Sequence, residues 1–294
     1  MLNKTQFHAR YLDYFGFQPT DSQGLAIEQL SDFIYLKGDN CLFLLQGYAG
    51  TGKTSLVSAL VKTLEEVKVH TVLLAPTGRA AKVFAQFADR KAFTIHKWIY
   101  RVSNRDGQHF FSRKENKYSH TLFIVDEASM ISTETSSGEM LNIGNLLDDL
   151  MDYVYSGEHN RMLFIGDDAQ LPPVHASESP ALNAEYLQSA YHLLISKCRL
   201  TDVVRQTLQS GILHNATLLR HKINLDDFTF PLFTDTVFED FTRLNGGALE
   251  ELLNTLYQQF DADEIVTITR SNKRANLFNN EIRNRILFRE IAIA

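Results

Sequence analysis

The sequence predicts an α/β fold: a parallel β-sheet flanked by helices. Two observations carry the prediction. Short runs that are apolar throughout recur at residues 42–46, 71–75, 122–125, 162–165, 192–196 and 265–269, and such runs suit strands covered on both faces. Between or beside them, residues 53–64, 248–257 and 276–286 carry apolar side chains at helical spacing, as amphipathic helices do.

Composition bounds the reading. With 294 residues and 44% apolar content, the chain can bury one large core or two modest ones, which excludes a disordered chain. Its two cysteines, Cys41 and Cys198, form no CxxC pair and belong to no zinc-spaced cluster, as expected of a protein in a reducing cytoplasm. Charged and aromatic residues interrupt the N-terminal segment, and no apolar run approaches the roughly 18 residues of a membrane span. The expectation is a soluble protein with no membrane partner.

The first strand, 42–46, leads into Gly47-Tyr48-Ala49-Gly50-Thr51-Gly52-Lys53-Thr54. This is the P-loop pattern G-x-x-x-x-G-K-[ST] between a strand and a helix. Gly47, Gly50 and Gly52 let the backbone wrap phosphates with inward N–H groups, of which Thr51 carries one, and the helix N-terminus favours negative charge. Lys53 is expected to reach the β and γ phosphates of ATP, and the Thr54 hydroxyl to ligate Mg²⁺.

After the second strand, residues 77–120 hold ten Lys or Arg against three Asp or Glu, a local net of +7 in a chain of net charge −6. Eight aromatics share the stretch, among them Phe93, Trp98, Tyr100 and Tyr118. Mixed cationic and aromatic side chains suit single-stranded nucleic acid; a solvated basic face over core aromatics reads equally well. Within it, Asp106-Gly107 between residues 100–103 and 109–112 signals a hairpin, a small insertion at 97–120. The strand 122–125 ends in Asp126 and Glu127, placed to hold the metal and to act as general base. The strand 162–165 runs into Gly166-Asp167-Asp168-Ala169-Gln170, where Gln170 lies outside a strand's carboxyl end and can sense the γ-phosphate. Residues 222–247 look like a loop-rich connection into a second domain.

Several motifs in order resemble superfamily 1 helicases, closest to the RecD-like group that moves 5′ to 3′ on DNA. Besides the P-loop, the matches are Asp126-Glu127-Ala128-Ser129-Met130 and Gly166-Asp167-Asp168-Ala169-Gln170-Leu171-Pro172-Pro173. The resemblance implies a RecA-like first domain at 1–200 and, at 201–294, a connection with the start of a second RecA-like domain. Gln23 is similar to the glutamine that reads adenine. Ala75-Pro76-Thr77-Gly78-Arg79 and Thr94-Ile95-His96 resemble the elements that grip single-stranded DNA, with Thr77, Arg79 and His96 as phosphate contacts; RNA stays open. Arg205, in Leu200-Thr201-Asp202-Val203-Val204-Arg205-Gln206, resembles the arginine that reaches the γ-phosphate. The family's last two motifs are not found before Ala294. The expectation is a fragment that lacks the C-terminal part of its second RecA-like domain and turns ATP over poorly. A P-loop ATPase that acts on protein, or switches without unwinding, is the competing class.

Overall fold

The computed structural model describes residues 2–105, 108–134, 144–173, 176, 178–202, 210–225, 227–235 and 237–288. It separates into two compact units, residues 1–209 with 216–229 and residues 210–215 with 230–294.

The first unit opens with α1 (Lys4–Phe15), whose buried face is Phe7, Tyr11 and Phe15. The aromatics of the charged N-terminal segment are thus spent on packing, and the Tyr11 hydroxyl donates to the Leu56 carbonyl at 3.1 Å. Helix α2 (Asp21–Tyr35) starts behind a capping box in which Thr20 and Gln23 satisfy each other's backbone N–H groups.

Six strands form the sheet: β1 (Cys41–Gly47), β2 (His70–Ala75), β3 (Ala92–Thr94), β6 (Thr121–Val125), β7 (Arg161–Gly166) and β8 (Leu194–Leu200). Their order is β3-β2-β6-β7-β1-β8, and every pairing is parallel. Helices α3 (Lys53–Glu66) and α4 (Gly78–Ala88), with the short α5 (Ile95–Ile99), connect the early strands. Helices α6 (Leu146–Tyr155) and α7 (Ala184–Tyr191) precede β7 and β8.

Alternation along the strands feeds two cores. Phe43, Leu45, Ile124 and Leu163 pack with α1, α2 and α3, while Leu42, Leu44, Phe123 and Phe164 pack with α6 and α7. A sheet covered on both faces needs runs without polar alternation, which is why the apolar runs were legible. Because all six strands are parallel, their carboxyl ends share one edge, and the P-loop, Asp126-Glu127, Gln170, Thr77-Gly78-Arg79 and Ile95-His96 all follow strands on that edge.

The hairpin forms as expected. Strands β4 (Tyr100–Arg105) and β5 (Gln108–Arg113) pair antiparallel in a sheet of their own, with Tyr100 opposite Arg113; Asp106 and Gly107 lie outside the described residues. Its base is fixed to α6: the Tyr100 hydroxyl donates to Asp149 at 2.6 Å, and Arg113 pairs with Asp149 at 3.1 Å and Asp152 at 2.8 Å.

Two strand expectations need correction. The strand expected at 192–196 runs instead over Leu194–Leu200. Among the described residues it bonds only to β1, at the edge of the sheet, and the exposed Lys197 and Arg199 belong to it without forming an apolar run. His192 sits in the left-handed conformation that ends α7.

The run at 265–269 is not a strand, and Val266 and Ile268 are 52% and 91% exposed. Among the described residues of the second unit no strand forms to pair with it, and an isolated strand leaves its backbone unpaired. That unit contains α9 (Leu249–Gln259) and α10 (Asn272–Glu281), continued by a turn at Ile282–Ile286. Helix α8 (Gly211–Asn224) contributes residues to both units.

Candidate nucleotide site

β1 ends at Gly47 and α3 begins at Lys53, leaving five residues for the turn between them. Gly50 and Gly52 take φ of 80° and 87°, which side chains with a Cβ avoid. Space imposes the same choice. A Cβ on Gly52 would lie 2.5 Å from Gln23 Nε2, and one on Gly47 2.9 Å from the Leu200 Cβ. Thr51 is buried beneath the loop, and its hydroxyl donates to the Tyr48 carbonyl at 2.8 Å.

Helices α2, α4, α5, α6 and α7 each have a side chain accepting from their first turn. Helix α3 has none, so its leading N–H groups remain available to an anion. The Lys53 ammonium donates to the carbonyls of Gly47 at 2.5 Å and Tyr48 at 3.0 Å. Burial lowers its pKa, opposed by Asp167, Glu127 and Asp126, while Arg220 lowers it further.

Opposite the loop, Asp126 follows β6. Burial and the neighbouring Glu127 raise its carboxyl to about 6, against an N–H bond from Glu127 and the charge of Lys53 that pull it down. Glu127 has φ of 52°, strain that a bulky residue keeps only where its surroundings impose it. Gln170, in the turn after β7, accepts from the Ser129 hydroxyl at 3.3 Å, tying that turn to the one after β6.

Gln23 is 3% exposed. Its Oε1 accepts from the Thr20 N–H at 3.0 Å and its Nε2 donates to the Thr51 carbonyl at 2.9 Å. The amide therefore braces the P-loop from behind, with one N–H and one lone pair left for a base.

One cavity of about 740 Å³ gathers Gln23, Gly50, Gly52, Lys53, Thr54, Asp126, Glu127 and Gln170. Gly47 and Thr51 support it from below. Thr77, Arg79 and His96 do not line it. Thr77 is the N-cap of α4, where it accepts from the Ala80 N–H at 3.2 Å, and Arg79 is exposed on the first turn. His96 lies in α5 beyond β3, its imidazole held below the usual pKa by desolvation. These three stand along the same edge of the sheet, over β2 and β3. Arg205 falls outside the described residues.

The aromatics of the basic stretch divide. Phe84 and Tyr100 are buried, and Phe93, Trp98, Phe111 and Tyr118 pack against the core. Trp98 stands 4.9 Å from Phe93 and 5.6 Å from Tyr118, ring to ring. Phe87 is exposed at 59%. The stretch thus supplies cations to the surface and most of its rings to the interior, closer to the basic-face alternative than to a stacking platform.

Residues 24–225 match the profile of a family described as an AAA domain. The chain belongs to the AAA domain family. Relatives support the resemblance to RecD-like superfamily 1 helicases. The ATP-dependent RecD2 DNA helicase of Deinococcus radiodurans is 32% identical over 199 residues, covering 68% of this chain and 24% of that protein. The ATP-dependent DNA helicase dda of Enterobacteria phage T4 is 27% identical over 253 residues, 82% of this chain and 52% of that one. The RecBCD enzyme subunit RecD of Buchnera aphidicola is 26% identical over 197 residues, 60% and 29% respectively. The chain therefore spans between 24% and 52% of the length of these relatives.

The AAA domain's cavity also includes residues that sequence reasoning passed over. Asp167 is 4% exposed, lines the cavity and is the acid that acts most strongly on Lys53. Its signal was present, because it follows β7 as Asp126 follows β6. Phe15, Phe17 and Gln18 close the side towards α2, and no motif marks them. Arg199 and Arg220 flank Tyr48, with guanidinium carbons 5.9 Å and 4.9 Å from its ring centre. Arg220 lies too far along the chain for spacing to reveal it.

Proposed function

We propose that this chain carries the ATP site of a superfamily 1 helicase or translocase that hydrolyses ATP with Mg²⁺ and acts on single-stranded DNA, moving 5′ to 3′. One observation carries the reading: three adjacent strands, β6, β7 and β1, deliver Asp126 with Glu127, Asp167 with Gln170, and Lys53 to a single cavity.

The residues suit a magnesium nucleotide. Among the described residues no cluster of three or more His, Cys, Asp or Glu could cage a metal. Mg²⁺ on a nucleotide takes one or two protein ligands and keeps its waters and phosphates for the rest. Thr54 and Asp126 would hold it, and it would neutralise charge on the β and γ phosphates. A carboxyl raised to about 6 by burial is one that a cation would return to its charged form.

In this reading Lys53 moves from the Gly47 and Tyr48 carbonyls to phosphate oxygens, exchanging neutral acceptors for charged ones. Glu127 accepts the proton of the attacking water as the bond from the γ-phosphorus to its bridging oxygen breaks. Gln170 orients that water or senses the γ-phosphate, and Gln23 offers its remaining amide positions to adenine. Arg205 supplies positive charge to the terminal phosphate. Thr77, Arg79 and His96 contact the DNA backbone, and the β4–β5 hairpin stands where a duplex junction meets the enzyme.

The test is coupling between the two ligands. Binding of a single-stranded oligonucleotide is measured across a salt series, with and without a non-hydrolysable ATP analogue and Mg²⁺. The reading predicts affinity that falls with salt by about 0.7 log units per log unit for each neutralised phosphate, and a nucleotide-induced change of about 5-fold or more. DNA binding indifferent to nucleotide would contradict it.

A second reading has one observation in its favour. Because most rings of the basic stretch are packed inward, the chain could be an ATPase acting on protein, or a nucleotide switch. It predicts ATP binding of the same strength with no salt-dependent affinity for single strands.

A further inference from the structure

Tyr48, the first variable residue of the P-loop, is a hub. Its carbonyl accepts from Lys53 at 3.0 Å and from the Thr51 hydroxyl at 2.8 Å, while its ring carries two guanidinium groups. The two arginines differ in their anions. Arg199 is ion-paired to Asp168. Arg220, half-buried on α8, pairs with no carboxylate among the described residues and rests 4.9 Å from the ring centre.

An arginine keeps its charge under all ordinary conditions, and a half-buried cation with no counter-ion among the described residues calls for one. A tyrosine face satisfies it only in part, since a cation–π contact is weaker than a charge-assisted bond to a phosphate oxygen. Arg220 is close enough to the phosphate-binding lysine for its charge to weigh on it.

We infer that Arg220 is a sensor of the terminal phosphate: parked on Tyr48 when the pocket holds no triphosphate, it swings by a side-chain rotation onto the γ-phosphate when one binds. This rests on the nucleotide reading of the P-loop and extends it to a residue outside every motif. Two features fit such a group: a long flexible side chain and a weak resting contact on the loop itself. Arg199, already neutralised by Asp168, also rests on the ring.

The test compares affinities for a non-hydrolysable ATP analogue and for ADP, both with Mg²⁺, in the wild type, Arg220→Ala, Arg220→Gln, Arg220→Lys and Lys53→Ala. A lost charge-assisted bond predicts that Arg220→Ala and Arg220→Gln each weaken the triphosphate by about 10-fold or more. ADP should change by less than about 3-fold, because its phosphates end short of the sensor. Arg220→Lys keeps the charge and should recover part of the loss. The glutamine variant keeps a polar stem against Tyr48, so a selective loss shared by both neutral variants is not a folding defect. Equal losses for both nucleotides, or no loss where Lys53→Ala abolishes binding, would overturn the inference. Retained binding in Lys53→Ala would instead overturn the nucleotide reading beneath it.

Discussion

Along the carboxyl edge of the sheet, β6, β7 and β1 are followed by charged groups without an ion pair, Asp126, Asp167 and Lys53, whereas β2 and β3 lead to threonines, Thr77 and Thr94, already spent on capping the next helix. In the first region Lys53 borrows two backbone carbonyls, Asp126 is pushed up to about 6, and α3 starts without a cap. In the second, Thr77 and Thr94 each accept an N–H bond from the helix they begin, and the neighbouring rings are in the core. Charged groups without an ion pair concentrate where a small, highly charged ligand is expected; in the second region the unpartnered buried group among the described residues is neutral, Trp98 Nε1. The region proposed to meet DNA offers surface charge, as at the exposed Arg79. A substitution on the nucleotide side should therefore act steeply on one ligand, and one on the DNA side gradually on another.

The largest effect expected is on turnover. Glu127→Gln removes the proposed base but keeps the shape, so hydrolysis should fall by about 10² to 10⁴-fold. ATP affinity should stay near the wild-type value, as single-turnover and binding measurements would show. Unchanged turnover would break the contrast between the two regions at its strongest point.

Asp126 comes next. Its folded-state pKa is raised, so the stability it lends is full below its ordinary value and is lost as pH rises through about 6. Asp126→Asn should stabilise the nucleotide-free protein at pH 8 by on the order of 1 kcal/mol and do little at pH 4. Thermal unfolding across that range checks the sign. The wild type's magnesium-dependent ATP affinity should weaken as pH falls through the same value.

On the other region, Arg79→Ala should weaken single-stranded DNA by a few-fold, reduce the salt slope by about 0.7, and leave ATP binding untouched. The smallest effect on binding concerns Trp98. Its ring packs on Phe93 and Tyr118, so Trp98→Phe should cost about 1 kcal/mol of stability with no change in DNA affinity. A large loss of DNA binding would restore the ring to the interface.

Sequence made the nucleotide side legible because its chemistry is local: Gly50, Gly52 and Lys53 lie within four residues, Asp126 directly follows an apolar strand, and Gln170 stands in the turn after another. The same apolar runs announced the sheet, since a strand buried on both faces leaves no polar interruption. Reading failed where position depends on partners. β8 is an edge strand that tolerates Lys197 and Arg199, and 265–269 is apolar without a neighbour to bond. Composition left Trp98 and Tyr118 open between a stacking surface and the core, and ring-on-ring packing places them against the core. Arg220 was invisible because its neighbour, Tyr48, is far away in sequence.

The central claim, that residues 47–54 and the acids facing them hold a magnesium nucleotide, is tested most directly by equilibrium binding of ATP to the wild type and to Lys53→Ala, with Mg²⁺ and with chelator. The account predicts Mg²⁺-dependent binding by the wild type and a loss of about 100-fold in the variant, the scale of a charged contact to phosphate. Equal, metal-independent affinity in both proteins would contradict it.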